Sequence, residues 1–399
     1  ARSKKRWQKG QGIQPDEKRI AKKPMFPWWD EDLLFVSADN PVLEETYLLS
    51  SADTAPVGPR FKQLYFSRVE NKKIFEPPHV LISQGFGKVV FCDFPVLFQD
   101  SLQAIHGPPE DEALLLFLTA YLQSNLAKYY CFHTSSKLGI ERDVVRFEEL
   151  LRLPFPLPSY APAENGQAIV DEIAECLKNE KTELEALTAQ YADDPANPDW
   201  LALRCERASK LRKRFEPLIY RYFGLLEPEQ ALIEDAVHLF LPSSTPTTPD
   251  SITLETLTPL AAAASIPGYQ NGLHTYADTL TATLNDWARE RHSDWWVNAA
   301  GWIDNASGLA MVRLQIVPKV QKRKFSPELD GPSLWPKVYG ALADKQIAVH
   351  FEREIIGFVG AEFFVLRPQT ISHWSRTRAL NDADEFFAQY LKQVKGTCQ

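Results

Sequence analysis

Up to about residue 107 the apolar positions fall in short runs rich in β-branched and aromatic residues, each broken by Pro or Gly. The segments EDLLFVSA, TYLLSSA, FKQLYFSRV, HVLISQGF and KVVFCDFPVLF predict strands of a mixed or antiparallel sheet. At residue 111 the pattern changes. The stretch DEALLLFLTAYLQSNLAKYY, 111–130, predicts one helix, with acidic residues in its first turn and Lys128 in its last, as the helix dipole favours. It is apolar on most faces, which places it at the centre of the first domain. A loop, CFHTSSKLGIERD, then leads to a helix at VRFEELLRL, and the prolines of LPFPLPSYAP force an extended path.

From about 166 to 224 the spacing becomes heptad-like. Val170, Ile173, Leu177, Leu184, Leu187 and Tyr191 occupy a and d positions, as do Leu201, Ala208, Leu211, Phe215, Leu218 and Tyr222 after the turn DDPANP. Two antiparallel helices are predicted, the first rich in Glu and the second in Arg and Lys, so pairing across the hairpin is the simplest account of both charge runs. A short helix, EPEQALIEDAVHLF, follows, and PSSTPTTPDS reads as a linker. Beyond about 252 the pattern gives a helix at 272–291, strands at WWVNAAGW, LAMVRLQIV, IAVHFE, EIIGFVG and EFFVLRP, and an amphipathic helix at ALNDADEFFAQYLKQV. The expected fold class is α+β in three parts: a mixed-sheet domain over 1–160, an antiparallel helical hairpin over 161–250 acting as a spacer, and a small α+β domain over 251–399.

Composition narrows the functions available. With 44% hydrophobic and 24% charged residues in 399, the chain can bury substantial cores. No apolar run approaches the roughly 18 residues of a membrane span, and the basic N-terminus lacks a signal-peptide core, so a soluble, cytoplasmic protein is expected. A start at Ala1 fits a processed initiator or a fragment of a longer chain. The five cysteines are scattered and read as free thiols. A net charge of -8 argues against indiscriminate nucleic-acid binding, yet the distribution is uneven. Residues 1–23 carry nine basic and two acidic side chains, and further basic runs occur at 204–215 and 319–325. A solvated face or a mobile tail is the simplest reading of each.

Catalytic patterns are missing. The eight histidines never fall three to five residues apart, so no metal site is expected. No Walker loop, nucleophile elbow or zincin helix occurs, and the glycines of SQGFGKVV are too close together for a dinucleotide loop, reading instead as a bend at Gly85 and Gly87. Asp53 with Glu70, Asn71 and Lys72 has the residue types of a metal-dependent nuclease, a combination common by chance.

The segment from about 80 to 158 is less generic. KVVFCDFPVLFQDSLQAIHG is followed in order by a helix ending LTAYLQSNLAKYY, a loop HTSSKLGIERD and an ending ELLRLPFPLP. This order resembles the specificity region of adenine-N6 DNA methyltransferases and fused restriction-methylation enzymes. IYRYFGLLEPEQALIEDAV, 219–237, and SRTRALNDADEFFAQY near the C-terminus are similar to further stretches of that family. The resemblance implies a target-recognition domain that binds double-stranded DNA, in a restriction-modification system of the kind used in phage defence. The family's S-adenosylmethionine strand and (N/D)PP(Y/F) loop do not occur here, so the resemblance implies no cofactor in this chain. S-adenosylmethionine and methyl transfer would belong to a methyltransferase catalytic domain or subunit as partner.

A recognition surface needs cations for phosphates and side chains able to pair with base edges. The loop 133–143 offers His133, Ser135, Ser136, Lys137 and Arg142, and the Gly-kinked loop offers Gln84 and Lys88. Each has a structural alternative: Arg142 can lock its loop against Glu141 and Asp143, and His133 can be a hydrogen-bonded core residue. Arg207, Lys210 and Arg214 on the second hairpin helix either track phosphates or pair with the first helix, the latter slightly favoured. The competing functional reading is a protein-interaction or scaffolding subunit of a phage-defence assembly.

Overall fold

The strand-rich N-terminal sequence does not make one sheet. In the computed structural model, which describes residues 6–20, 33–44, 46–57, 64–67, 72–85, 87–138, 144–188, 190–191, 194, 197–244, 259–260, 272–327, 340 and 354–396, it makes three small ones. The strands are β1 (Gln8–Gln11), β2 (Gln14–Ile20), β3 (Leu34–Val36), β4 (Ala55–Pro56), β5 (Leu64–Ser67), β6 (His79–Ser83), β7 (Val89–Cys92), β8 (Val96–Phe98) and β9 (Leu102–His106). An antiparallel sheet runs β1-β9-β6-β7, a mixed one β4-β3-β8, and β2 pairs with β5. Strand alternation sends Leu81, Val90, Cys92 and Ala104 into a core with Ile13, Val36, Phe75 and Phe98. Much of the basic N-terminal run is therefore built into sheets rather than forming a tail.

Gly12 makes the junction of β1 and β2 possible. A Cβ there would stand 2.2 Å from the Gln99 carbonyl oxygen and 2.4 Å from that of Phe98, and the next residue's amide donates to Phe98 at 2.9 Å. TYLLSSA is not a strand. Leu48 makes a single bridge to Phe91, and Ser50 and Asp53 form a reciprocal capping box, the Ser50 amide donating to Asp53 Oδ2 at 2.8 Å, that turns the chain.

The helix expected over 111–130 is two helices, α1 (Glu112–Gln123) and α2 (Asn125–Thr134), interrupted at Ser124. The Ser124 backbone is extended, its oxygen accepts from the Ala127 amide at 3.3 Å, and Glu216 accepts the Asn125 amide at 2.7 Å. A single N-capping serine inside an apolar run leaves the periodicity undisturbed, so the break is invisible to it. α1 packs on β6 and β7 and against the first hairpin helix.

The hairpin comprises α4 (Gly166–Thr188) and α5 (Pro198–Tyr222), preceded by the one-turn α3 (Phe147–Leu150). Its seam buries Val170, Ile173, Leu177, Leu184, Ala208, Phe215, Leu218 and Tyr222, as the heptad positions predict, while Leu187, Leu201 and Leu211 are half-buried. One basic residue of α5 faces elsewhere. Arg204 is buried and donates to Asp53 Oδ1 at 2.8 Å, Asp53 Oδ2 at 3.2 Å and the Leu48 carbonyl at 3.2 Å, tying the hairpin to the turn before β4. Asp53 therefore serves an ion pair rather than a nuclease metal; Glu70 lies outside the described residues.

Packing divides the chain into two compact units, Ala1–Leu226 and Glu227–Gln399. The hairpin thus shares a unit with the sheets. The second unit begins with α6 (Glu227–Asp235) and contains α7 (Leu273–Glu290), β10 (Trp295–Asp304), β11 (Leu309–Pro318), β12 (Ser326–Pro327), β13 (Ile355–Val359), β14 (Glu362–Pro368) and α8 (Arg376–Gly396). Its sheet runs β12-β10-β11-β14-β13, antiparallel except where β12 joins β10. α7 and α8 cover one face through Tyr276, Leu280, Leu284, Ala379 and Phe386. Arg367 is buried there, donating to both Asp382 oxygens at 2.5 and 2.7 Å and to Glu354 at 2.6 Å. The predicted strand IAVHFE and most of the linker at 242–251 lie outside the described residues. The chain is an α+β protein.

Removing one partner of a buried ion pair leaves the other charge unsolvated, at a cost of about 3–5 kcal/mol. Arg204→Ala is expected to lower the urea midpoint of the N-terminal unit accordingly, while Arg204→Met combined with Asp53→Leu recovers most of the loss. A loss below about 1 kcal/mol for Arg204→Ala would show that the pair does not hold the hairpin.

Candidate nucleic-acid interface

One of the sequence-derived candidates, Gln84, lies against the segment that follows the 133–143 loop. The turn joining β6 and β7 is closed by the Ser83 amide donating to the Lys88 carbonyl at 2.9 Å and the Lys88 amide to Ser83 Oγ at 3.1 Å. The Gln84 carbonyl at its tip accepts from the Val145 amide at 3.0 Å. That bond places the β6–β7 turn against the segment leading into α3, on the far side of the 133–143 loop. Arg142 lies outside the described residues, which resume at Val144.

Glu149 organises this segment. Its carboxylate accepts from the Ser135 hydroxyl at 3.0 Å, the Ser136 amide at 3.1 Å and the Arg146 amide at 3.0 Å. Desolvation alone would raise its pKa, but these hydrogen bonds outweigh it and bring the value down to about 2. One carboxylate thereby clamps both ends of the loop, at 135–136 and at 146. Ser135 is buried, its hydroxyl given to Glu149, so it positions the loop; Ser136 is exposed and Lys137 half-buried at the surface. His133 is exposed on the last turn of α2, its ring 4.5 Å from that of Tyr129, and is not a core residue.

β1 completes the face, a contribution the charge pattern of residues 1–23 signalled only as a basic run. The exposed Lys9 sits 5.0 Å from the centre of the Phe147 ring. Gln11 and Gln84 converge, their side-chain amides donating to the same Asp100 carbonyl at 2.7 and 3.5 Å. Arg6 and Trp7 anchor the start of β1 on the buried Asp111, with Arg6 Nε and Trp7 Nε1 reaching Oδ2 at 2.6 and 2.7 Å. The hydrogen bond from Arg6 holds the Asp111 carboxyl below its usual range. Beside Lys9 a largely apolar cavity of about 330 Å³ opens, lined by Trp7, Leu118, Tyr121, Leu151 and Phe155 among others. The face thus offers Gln11 and Gln84 as amides suited to adenine edges, and Lys9, Lys137 and Arg146 as cations suited to phosphates.

Other candidates sit elsewhere. Lys88 turns its ammonium to the Ala38 carbonyl at 2.7 Å and to Glu44 at 3.0 Å. Arg207 makes a bidentate pair with Glu180, both bonds 2.7 Å, and also reaches Glu183; Arg214 reaches Glu172 at 3.4 Å. Both thus pair with the first hairpin helix. Lys210 pairs with Glu206 on its own helix at 2.6 Å. Among the described residues no cluster of His, Cys, Asp and Glu is arranged to hold a metal ion, and no helix is long and apolar enough to cross a membrane.

No family model matches the chain, and no curated protein matches it. Among solved structures, one chain from "Structural basis underlying complex assembly and conformational transition of the type I R-M system" aligns with 57% of this chain and 48% of its own length, at 16% identity and a TM-score of 0.25. This chain therefore spans about half the length of that one.

The Glu149 clamp has a pH signature. Because the folded pKa is depressed from 4.5 to about 2, the clamp is fully present above about 4.5 and is lost as pH falls through about 2. Hydrogen exchange is expected to show the Ser136 and Arg146 amides still protected at pH 4. In Glu149→Gln their protection drops about tenfold or more at pH 4 and above, as loss of a charge-assisted bond requires. Unchanged protection in the variant would remove Glu149 from this role.

Proposed function

We propose that this chain reads duplex DNA as the target-recognition part of an adenine-N6 DNA methyltransferase within a restriction-modification assembly. Methyl transfer and S-adenosylmethionine then belong to a partner domain or subunit. The observation that carries the reading is the junction of the Gln84 turn with the Glu149-clamped loop. It brings Gln84, with Gln11 beside it, against residues 135–136 and 145–149 of the stretch that resembles the recognition region.

The division of labour follows from the chemistry. Lys9, Lys137, Arg146 and Arg142 would meet phosphates, fixing register without reading sequence. Gln11 and Gln84 would read with the second amide N–H and the carbonyl oxygen that their bonds to the Asp100 carbonyl leave over, a donor and an acceptor that match N6 and N7 of adenine in the major groove. Ser136 and His133 supply further polar contacts at the loop's start, while Ser135 holds the loop through Glu149. Lys88, Arg207, Lys210 and Arg214, each with its charge paired to a carboxylate, contribute less than the sequence alone suggests.

A second reading has one specific observation in its favour. Leu151, Leu157 and Tyr160 are 46%, 47% and 79% exposed along the proline-rich exit from the domain. Exposed apolar side chains in one run suit protein docking, which fits a scaffolding subunit, and fits equally the seat of a catalytic partner on a recognition subunit.

The test is fluorescence anisotropy with duplex pools of different sequence at about 50 and 200 mM salt. Lys137→Ala is expected to weaken every duplex alike and to reduce the salt slope by about one. Gln84→Ala is expected to relax preference at one base pair, by about 1–3 kcal/mol. Binding that never distinguishes one sequence from another would overturn the proposal, as would no binding at the lower salt.

A further inference from the structure

The C-terminal unit carries a basic segment that the proposed reading face does not use. Between β11 and β12 the sequence KVQKRK, 319–324, places four cations in six residues with no acidic side chain. Lys319, Lys322, Arg323 and Lys324 are all exposed. Among the described residues none of the four forms an ion pair, in contrast to the basic run of α5, whose members are largely engaged with carboxylates. The only acidic residue at the segment's start is the exposed Asp294, whose backbone carbonyl accepts the Lys319 amide at 2.8 Å.

The segment is fastened along its length. Asn298 on β10 donates from Nδ2 to the Gln321 carbonyl at 3.0 Å and accepts the Arg323 amide on Oδ1 at 2.8 Å. Phe325 sits on Gly301, where a Cβ would meet the ring at 2.6 Å, and packs against the core and His274. The chain then joins β10 through the pairings of Ala300 with Ser326 and Gly301 with Pro327. Lys322 lies 5.9 Å from the centre of the Trp296 ring. A merely solvated loop needs no such fastening. Here an asparagine, a glycine seat and a half-buried aromatic hold the backbone to the sheet while the cationic side chains stay exposed.

We infer that residues 319–324 form a second, sequence-independent binding site for the phosphate backbone of nucleic acid. A backbone already held in place loses little freedom when its cations meet a polyanion, and each phosphate neutralised releases counterions. Val320, 92% exposed, is the only apolar side chain among the six residues, too little for insertion into a lipid surface. A nucleic-acid backbone is therefore favoured over an anionic membrane. The site extends the DNA-reading proposal but does not depend on base recognition by the N-terminal unit.

The experiment compares the full chain with a Lys322→Ala, Arg323→Ala, Lys324→Ala triple variant. Each is measured against duplexes of several sequences over a salt series, and against vesicles containing phosphatidylserine. All three side chains are exposed, so the unfolding midpoint should not move. The expected result is a loss of affinity of roughly tenfold or more, equal for every duplex, with the salt slope reduced by about two to three. The same result in a protein that shows no sequence preference would sink base reading and leave this site standing. Sequence-selective binding with affinity and slope unchanged in the variant would overturn this site and leave the reading face intact. Absence of any duplex binding at about 50 mM salt, or a variant defect confined to vesicles, overturns it as well.

Discussion

A guanidinium removed from water must find acceptors for its donors, and Arg204 finds three of them in the short turn between Leu48 and Asp53. That constraint fixes where the helical hairpin stands against the small sheets. Asp53 is itself committed twice, to Arg204 and to the Ser50 amide of its capping box, so the turn and the ion pair define one another. With α5 held there, Glu216 on the same helix can accept the Asn125 amide at the start of α2. The direction of α2, and hence where the loop after it begins, follows from the same helix.

The candidate reading face repeats that logic at the surface. Glu149 holds two ends of a loop with one carboxylate, and the Gln84 carbonyl holds the incoming chain through the Val145 amide. The loop is attached at its base by backbone and carboxylate contacts while side chains such as Ser136 and Arg146 remain outside. A reading surface needs this separation, because a side chain that supports its own loop has fewer hydrogen bonds to offer a base. Ser135 illustrates the trade: its hydroxyl strengthens the clamp and is lost to recognition.

Periodicity made the hairpin legible, since Val170, Ile173, Leu177 and Phe215 are buried where heptad counting places them. It failed where one residue carries the geometry. Ser124 ends a helix inside an unbroken apolar run, and Ser50 with Asp53 turns a strand-like sequence into a 3-10 turn. The candidate site was half legible. His133, Ser136, Lys137 and Gln84 could be picked out by residue type and position after a helix or within a bend. Gln11 and Lys9 could not, because their place beside Gln84 and Phe147 depends on β1 joining β9, a contact across more than ninety residues. Glu149 looked like an ordinary helix residue until its three donors converged.

Net charge misleads for the same reason. A value of -8 says nothing about which cations are available, and the run 204–215 is largely engaged within the protein. Arg204 and Arg207 meet carboxylates at hydrogen-bonding distance, and Glu180 and Glu183 are largely occupied by the latter. The shorter run at 319–324 contains no acidic residue, and its supports, Asn298 and the Asp294 carbonyl, engage its backbone. What distinguishes a structural basic run from an available one is whether the contacts that hold it consume the charges. Over distances beyond about 8–10 Å the excess acidic charge elsewhere is screened at physiological salt. The local excess of cations, rather than the sign of the whole chain, then sets attraction to a phosphate backbone.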